Sequence, residues 1–257
     1  MHATFTTILS AALLTSSIQA STLPFNPRAS GAVCSPTATS CSGSGTTNTC
    51  CLANNIIVFA QQWLQGYCAT KSCQIDNVPQ DWTVHGGWPN TCAGGQTNGC
   101  AGPTYDDITN TLSAVDSDLV DQMNQHWVSY TGDNNVFWAH EWEKHGRCFT
   151  PAAKKCFPGF EDGQDLDKYF SYVLGLRNQF PIGAALENAN ITPGGSYTKT
   201  QFRNALTAAY PGLKLQLICV GGYISEIYIA LYATPNGAKA GAPLKGASDN
   251  CPTTFNY

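Results

Sequence analysis

The sequence predicts an α+β fold, on three observations. Strand-like runs of β-branched and aromatic residues are interspersed with segments of helical spacing, without the regular alternation of a βαβ fold. Leu213 to Val220 and Tyr223 to Ala233 alternate on either side of Gly221-Gly222, a hairpin signal. Twelve cysteines, an even number, accompany 24 glycines, 14 prolines and only 12% charged residues. That is the composition of a loop-rich chain stapled by disulfides in an oxidising compartment.

Residues 1–20 read as an export signal. An apolar and small-residue run from Ile8 to Leu14 is followed by Ser-Ser-Ile-Gln-Ala, with cleavage expected near Ala20, although only His2 stands where a cationic start is usual. Residues 21–257 show no compositional break and are expected to form a single domain. The Ser/Thr/Gly/Pro-rich stretch 21–50 carries Cys34, Cys41 and Cys50, with Cys51 adjoining, and reads as an irregular segment pinned by disulfides. Asn55 to Trp63 reads as a strand, and Cys68 and Cys73 are close enough in sequence to bridge locally. Asp81 to Gly86 reads as a short strand that Trp88-Pro89-Asn90 breaks. Helical spacing follows in Asp106 to Asn110 and in Ser113 to Trp127, with Ser113 or Asp116 as N-cap. It continues in Phe137 to His145, stopped by Gly146, then in Asp165 to Phe180, Ile182 to Asn188 and Thr198 to Tyr210. The tail from Pro235 is Gly/Pro-rich and carries Cys251.

A bilayer span needs roughly 20 apolar residues, and nothing after the signal supplies them. The mature chain is therefore expected to be soluble, without a membrane partner, and extracellular or resident in an acidic secretory compartment. Asn190-Ile191-Thr192 is a glycosylation acceptor sequence. A net charge of −4 argues against capture of nucleic acid by a broad basic face, so a polyanion would have to be held at a local positive site.

Two segments carry chemistry. Phe137 to Cys148 places His140, Glu141, Lys144 and His145 within six residues of a chain that has only five histidines. On a helix Glu141, Lys144 and His145 share one face. Trp82 to Pro89 puts His85 at a strand end before Gly86-Gly87, where the missing Cβ lets a ligand approach, with Trp88 as a flat stacking surface. A zinc-protease helix needs histidines at i and i+4; His140 and His145 are five apart, about 140° around the helix. Metal catalysis is disfavoured, no metal site is expected, and an even cysteine set leaves no obvious thiolate. What remains is acid/base chemistry by two histidines, with Lys144 offsetting charge on phosphoryl oxygens. RNA brings its own nucleophile in the 2′-OH, so no cofactor is needed.

The two segments, His85-Gly86-Gly87-Trp88-Pro89 and Phe137 to Cys148, resemble the paired active-site segments of the ribonuclease T2 family, and the chain resembles a secreted fungal member. The resemblance implies a central antiparallel β-sheet flanked by helices and stabilised by disulfides. It implies a monomeric, metal-independent endoribonuclease of low base specificity that cleaves single-stranded RNA to a 2′,3′-cyclic phosphate and then to a 3′-phosphate. By position, His145 resembles the general base and His85 the general acid, while Glu141 and Lys144 stabilise the transition state and His140 binds phosphate. Trp88 resembles the platform for the base 5′ of the cleaved bond, and Phe137 and Gln62 resemble parts of the pocket for the next base. At Asn90 related fungal enzymes often carry Asp; an amide there can both donate and accept. Gly87 and Arg147 also depart from the family pattern without replacing a reacting group. The implied disulfides are Cys34–Cys51, Cys41–Cys92, Cys50–Cys156, Cys100–Cys148 and Cys219–Cys251, leaving Cys68–Cys73. Two rivals stand beside this reading. A silent storage or defence protein on the same scaffold has no evident reason to retain all four reacting groups. A glycosidase or carbohydrate-binding module would need a second carboxylate facing Glu141.

Overall fold

The computed structural model describes residues 35–42, 48–246 and 248–257. The expected export signal, its cleavage near Ala20 and Cys34 lie outside the described residues. The chain opens on β1 (Ile56–Gln62), α1 (Leu64–Cys68) and β2 (Thr83–Asn90), followed by α2 (Ile108–Ser113), α3 (Ser117–His126) and α4 (Asn134–Lys144). Next come α5 (Gln164–Gln179), α6 (Ile182–Asn188), β3 (Ser196–Thr198) and α7 (Lys199–Ala209). β4 (Lys214–Val220), β5 (Tyr223–Thr234), β6 (Gly237–Ala240) and β7 (Thr254–Asn256) complete it.

β5 is the spine of one seven-stranded sheet of order β2-β1-β5-β7-β3, with β4 and β6 also on β5. Every strand pair is antiparallel except a single parallel step between Tyr223 and Asn256. This is the expected α+β class with a central antiparallel sheet. The expected hairpin joins β4 to β5, and Gly221 and Gly222 both adopt positive φ to turn it, at 58° and 85°.

One expected break does not occur. β2 runs through Trp88, Pro89 and Asn90 rather than stopping before them. β2 lies at the sheet edge, where the N–H that proline lacks is not needed by a second neighbour. The two helices expected at Asp106 to Asn110 and Ser113 to Trp127 are both present with shifted ends, as α2 and α3, and of the two N-caps expected for the second it is Asp116 that serves. Asp107 caps α2 by accepting from Asn110 N–H, and Asp116 caps α3 by accepting from Leu119 N–H. The tail from Pro235 contributes β6 and β7, strands too short for alternation to reveal and formed by pairing with strands already in place.

The α4 segment starts three residues before its expected limit because Asp133 accepts from Val136 N–H, a cap worth about 1 kcal/mol. Its inner face is core. Trp138 and Trp142 are buried and give their indole N–H groups to the carbonyls of Trp127 and Pro103. They pack in one apolar cluster with Trp127, Tyr169 and Phe170. Satisfying both indoles fixes the helix rotation, and with it the direction of the opposite, chemical face. At the helix end Arg147 donates to the Glu143 carbonyl through Nε and Nη2, which makes it a C-terminal cap.

Five disulfides join described cysteines: Cys41–Cys92, Cys50–Cys156, Cys68–Cys73, Cys100–Cys148 and Cys219–Cys251. Cys100–Cys148 ties the turn after α4 to the loop that follows β2. The remaining expected pair, Cys34–Cys51, depends on Cys34 and so falls outside the described residues.

Candidate active site

Register on β1 shows how His85 is aimed. Ala60 pairs with Gly86 and the next residue, Gln61, pairs with Val84, so His85 is the extra residue of a β-bulge. Strict alternation from Trp88 through Gly86 would turn His85 to the far side of the sheet. The bulge turns it instead to the side shared by Gly86 and Trp88. Cross-strand partners extend that side over Ala60 and Gln62 of β1 and over Tyr228 and Glu226 of β5. The far side carries α5, where Tyr169 donates to the Gly87 carbonyl and Val173 packs against Gly87. Trp127 donates its indole N–H to the His85 carbonyl and fixes the bulge from behind.

α4 stands beside the edge strand β2, where Glu141 reaches Trp88 and brings the two segments together. Trp88 Nε1 donates to Oε2 of Glu141 at 2.9 Å. His85 Nε2 lies 3.7 Å from Oε1 of the same carboxyl. The Trp88 ring is flanked by His85, His145 and Tyr228, with centroids 5.1, 5.3 and 5.0 Å away, and Phe137 is 5.6 Å from His85. Glu141 is 1% exposed, whereas His140 and Lys144 are open to solvent. His145 is the C-cap residue, with φ −125°, and its N–H still bonds the Glu141 carbonyl. The helix therefore ends one residue earlier than its spacing predicts, and the His145 ring is presented from the turn, beside Trp88.

The charges are arranged asymmetrically. Burial pushes His85 down, but Glu226, by direct contact and by charge, and then Glu141 outweigh it, and the net shift is upward. His145 is pushed down to about 4, by burial first and then by the positive charge of His140, His85 and Lys144. His140 is lowered by burial and by Lys144 and His85. Glu141 is raised to about 7, chiefly by burial, against the pull of His85 and of the Trp88 hydrogen bond.

Other expected residues are placed differently. Gln62 is 6% exposed and gives both amide hydrogens to protein carbonyls, Val84 and Val128. It ties β1 to β2 and to the irregular segment after α3, and it holds that segment rather than offering those donors to a base. Asn90 is also 6% exposed, at the end of β2, bridged to Gln96. Asn190 is exposed, in the left-handed turn after α6, with φ 58°. Glu226 and Tyr228 were not singled out by the sequence. Their signal was a charged and a phenolic residue two apart on the largely apolar run Ile224 to Leu231, hence on one strand face. A separate cavity of about 370 Å³, lined by Asp81, Trp82, Arg177, Glu187 and Tyr257, contains none of these site residues. No described helix is long and apolar enough to cross a membrane, and no described group of three or more His, Cys, Asp or Glu could hold a metal ion.

Fold and paired histidine segments together define the class, a disulfide-pinned α+β ribonuclease. The sequence model of the ribonuclease T2 family matches residues 54–242, and the chain belongs to that family. It is 36% identical to ribonuclease Rh of Rhizopus niveus over 203 residues, 77% of this chain and 81% of that one. It is 33% identical to ribonuclease DdI of Dictyostelium discoideum over 68% of this chain and 72% of that one. Its fold is similar to the crystal structure of Actibind, a T2 ribonuclease, with a TM-score of 0.74 and 26% identity over 87% of this chain and 96% of that one. RNase NT, solved in complex with 5′-AMP, is similar with a TM-score of 0.60 and 25% identity over 79% and 97%. The protein is an endoribonuclease.

Proposed function

We propose that the chain is a secreted, metal-independent endoribonuclease that cleaves single-stranded RNA with low base specificity, with His145 as base and His85 as acid. The observation that carries this reading is the opposite displacement of the two histidines across Trp88. A general base must be neutral before reaction, and the surroundings of His145 hold it so above about pH 4. A general acid must hold its proton, and the two carboxyls beside His85 favour that form.

In the first step His145 takes the proton of the 2′-OH, and the 2′ oxygen attacks the adjacent phosphorus. The bond from phosphorus to the 5′ oxygen breaks, and that oxygen takes the proton of His85 Nε2. The products are a 2′,3′-cyclic phosphate and a free 5′-OH. In the second step His85, now neutral, takes a proton from water, which attacks phosphorus. The 2′ oxygen leaves with the proton held by His145, giving a 3′-phosphate and restoring both histidines. Lys144 and His140, on the open side, offset charge on the phosphoryl oxygens. Glu141 is nearly neutral in mildly acidic solution, so its carboxyl can sit beside a phosphodiester without strong repulsion. Trp88 and Phe137 border the reacting centre and offer aromatic surface to the bases on either side, with Asn90 and the segment held by Gln62 at the margins.

Residues 21–257 then form one catalytic domain, acting as a monomer after removal of residues 1–20, with Asn190 open to glycosylation. RNA digestion in EDTA, comparing the wild type with His85→Phe and His145→Phe, tests the mechanism. Loss of cleavage in both variants and a transient 2′,3′-cyclic phosphate in the wild type are expected. Undiminished cleavage in both variants, or loss of wild-type activity on chelation, overturns it.

A further inference from the structure

Glu226 is half-buried near the middle of the sheet, in a strand whose neighbours Ile224, Ile227 and Ile229 are core. An ionised carboxyl in such a place is costly unless it has a partner. The ion pair it makes is with His85, Oε2 to Nδ1 at 3.2 Å, a contact that lies off the line of an ideal hydrogen bond yet still favours the charged imidazole by direct contact first and by charge second. The register explains the meeting. Glu226 stands opposite Gln62 on β1, and the bulge next to that step swings His85 over the same strand face. Without the extra residue the imidazole and this carboxyl would be on opposite sides of the sheet.

We propose that Glu226 is a positioning residue for the cleavage reaction: its carboxylate engages Nδ1 of His85, fixes the ring and its tautomer, and leaves Nε2 to deliver the proton. The nitrogen of an imidazole that reacts is set by what holds the other one. Nε2 faces Glu141, on the open side where a phosphodiester meets His140 and Lys144, while Nδ1 faces into the sheet. The remaining groups around the pair fit this division. Tyr228, two residues along β5, hydrogen-bonds Glu226 and helps keep it ionised, and Tyr67 of α1 feels its charge. From α4, Glu141 draws His85 toward its charged form, and the charge of His85 in turn helps hold His140 and His145 toward their neutral forms. Of the two carboxyls beside His85, Glu141 is pushed toward neutrality and Glu226 is held ionised, so the standing negative charge is at Nδ1.

This inference rests on His85 being the acid, and its tests separate the two. In the full-length chain, kcat/KM for a single-stranded RNA substrate is measured against pH for the wild type, Glu226→Gln, Glu226→Asp and His85→Phe. In Glu226→Gln the alkaline limb moves to lower pH, so activity on that limb falls by on the order of tenfold relative to the acidic side. Glu226→Asp, which keeps the charge, restores much of the limb. Histidine side-chain 15N spectra of the wild type, with His85→Phe identifying the signal, give the tautomer without any variant of Glu226. Neutral His85 should carry its hydrogen on Nδ1. An unmoved alkaline limb in folded Glu226→Gln, or a dominant Nε2–H tautomer, overturns the role of Glu226. Full activity in His85→Phe instead overturns the reading of the site, whatever the tautomer.

Discussion

Gly86 and Glu141 occupy space that a Cβ would contest: a methyl group on Gly86 would overlap both Oε2 of Glu141 and Nε1 of Trp88. The hydrogen bond between those two atoms therefore exists because residue 86 has no side chain. Gly86 is not at positive φ, so the requirement is one of room rather than of backbone conformation. Gly86→Ala should push α4 off the sheet edge and lower kcat/KM on the order of 10²-fold, the effect of misplacing reacting groups by about 1 Å. Steady-state kinetics beside a thermal melt check it; a rate within threefold of the wild type would mean that the Trp88–Glu141 contact does not set the geometry.

The pH profile of kcat/KM should be a bell. Its acidic limb belongs to His145, rising through about pH 4, and its alkaline limb to His85, displaced upward from the ordinary imidazole range. Lys144 is one of the charges that depress His145. Lys144→Ala should therefore move the acidic limb to higher pH while lowering kcat by roughly 10²-fold, with little change in stability because the side chain is exposed. Profiles of both proteins at constant ionic strength provide the comparison.

Glu141 has a stability consequence of definite sign. Its folded pKa, about 7, lies above the ordinary 4.5, so the folded chain binds the proton more tightly than the unfolded one. Its favourable contribution is complete below about pH 4.5 and is lost as pH rises toward and through 7. Glu141→Gln, which cannot ionise, should melt higher than the wild type at pH 8 and close to it at pH 4, a difference of a few kcal/mol at most. Calorimetry at the two pH values decides it. A variant less stable at pH 8 than at pH 4, relative to the wild type, would contradict the burial of an ionising carboxyl.

Cys100–Cys148 closes a loop of 48 residues that contains α2, α3 and α4. Replacing both cysteines by serine should lower stability by about 2–4 kcal/mol. It should also lower activity at temperatures well below the new Tm, since Cys148 follows His145 by three residues and anchors its turn. Melting curves and rates on the double variant test both parts. Stability loss with unchanged rates would confine the bridge to a scaffolding role.

How far each element was legible depended on where its information lay. α6 matched its expected range because a short amphipathic run is specified by its own spacing. α5 and β1 shifted by only a residue or so at their ends. The limits of α4 moved because Asp133, a polar residue outside the aromatic pattern, caps it, and because His145 leaves helical geometry to form the turn. Pro89 was read as a break since its effect depends on whether a second strand lies beside it, and only the sheet order places β2 at an edge. Glu226 is the strongest instance in the site. Its local mark, a charge on an apolar strand two residues from a tyrosine, does not name its partner, and its meeting with His85 depends on a bulge two strands away.

The sequence by itself determined the α+β class, the family, and which side chains can exchange protons or carry positive charge in its two unusual segments, because residue identity and short-range spacing carry that information. Tertiary structure decided which imidazole is held neutral and which charged, and which carboxyl yields its charge. Those properties arise from burial and from charges a few ångströms away in space but up to 141 residues away in sequence, as for His85 and Glu226 (226 − 85). A proton's preference is set by its three-dimensional surroundings, and only the folded sheet with α4 beside its edge brings them together.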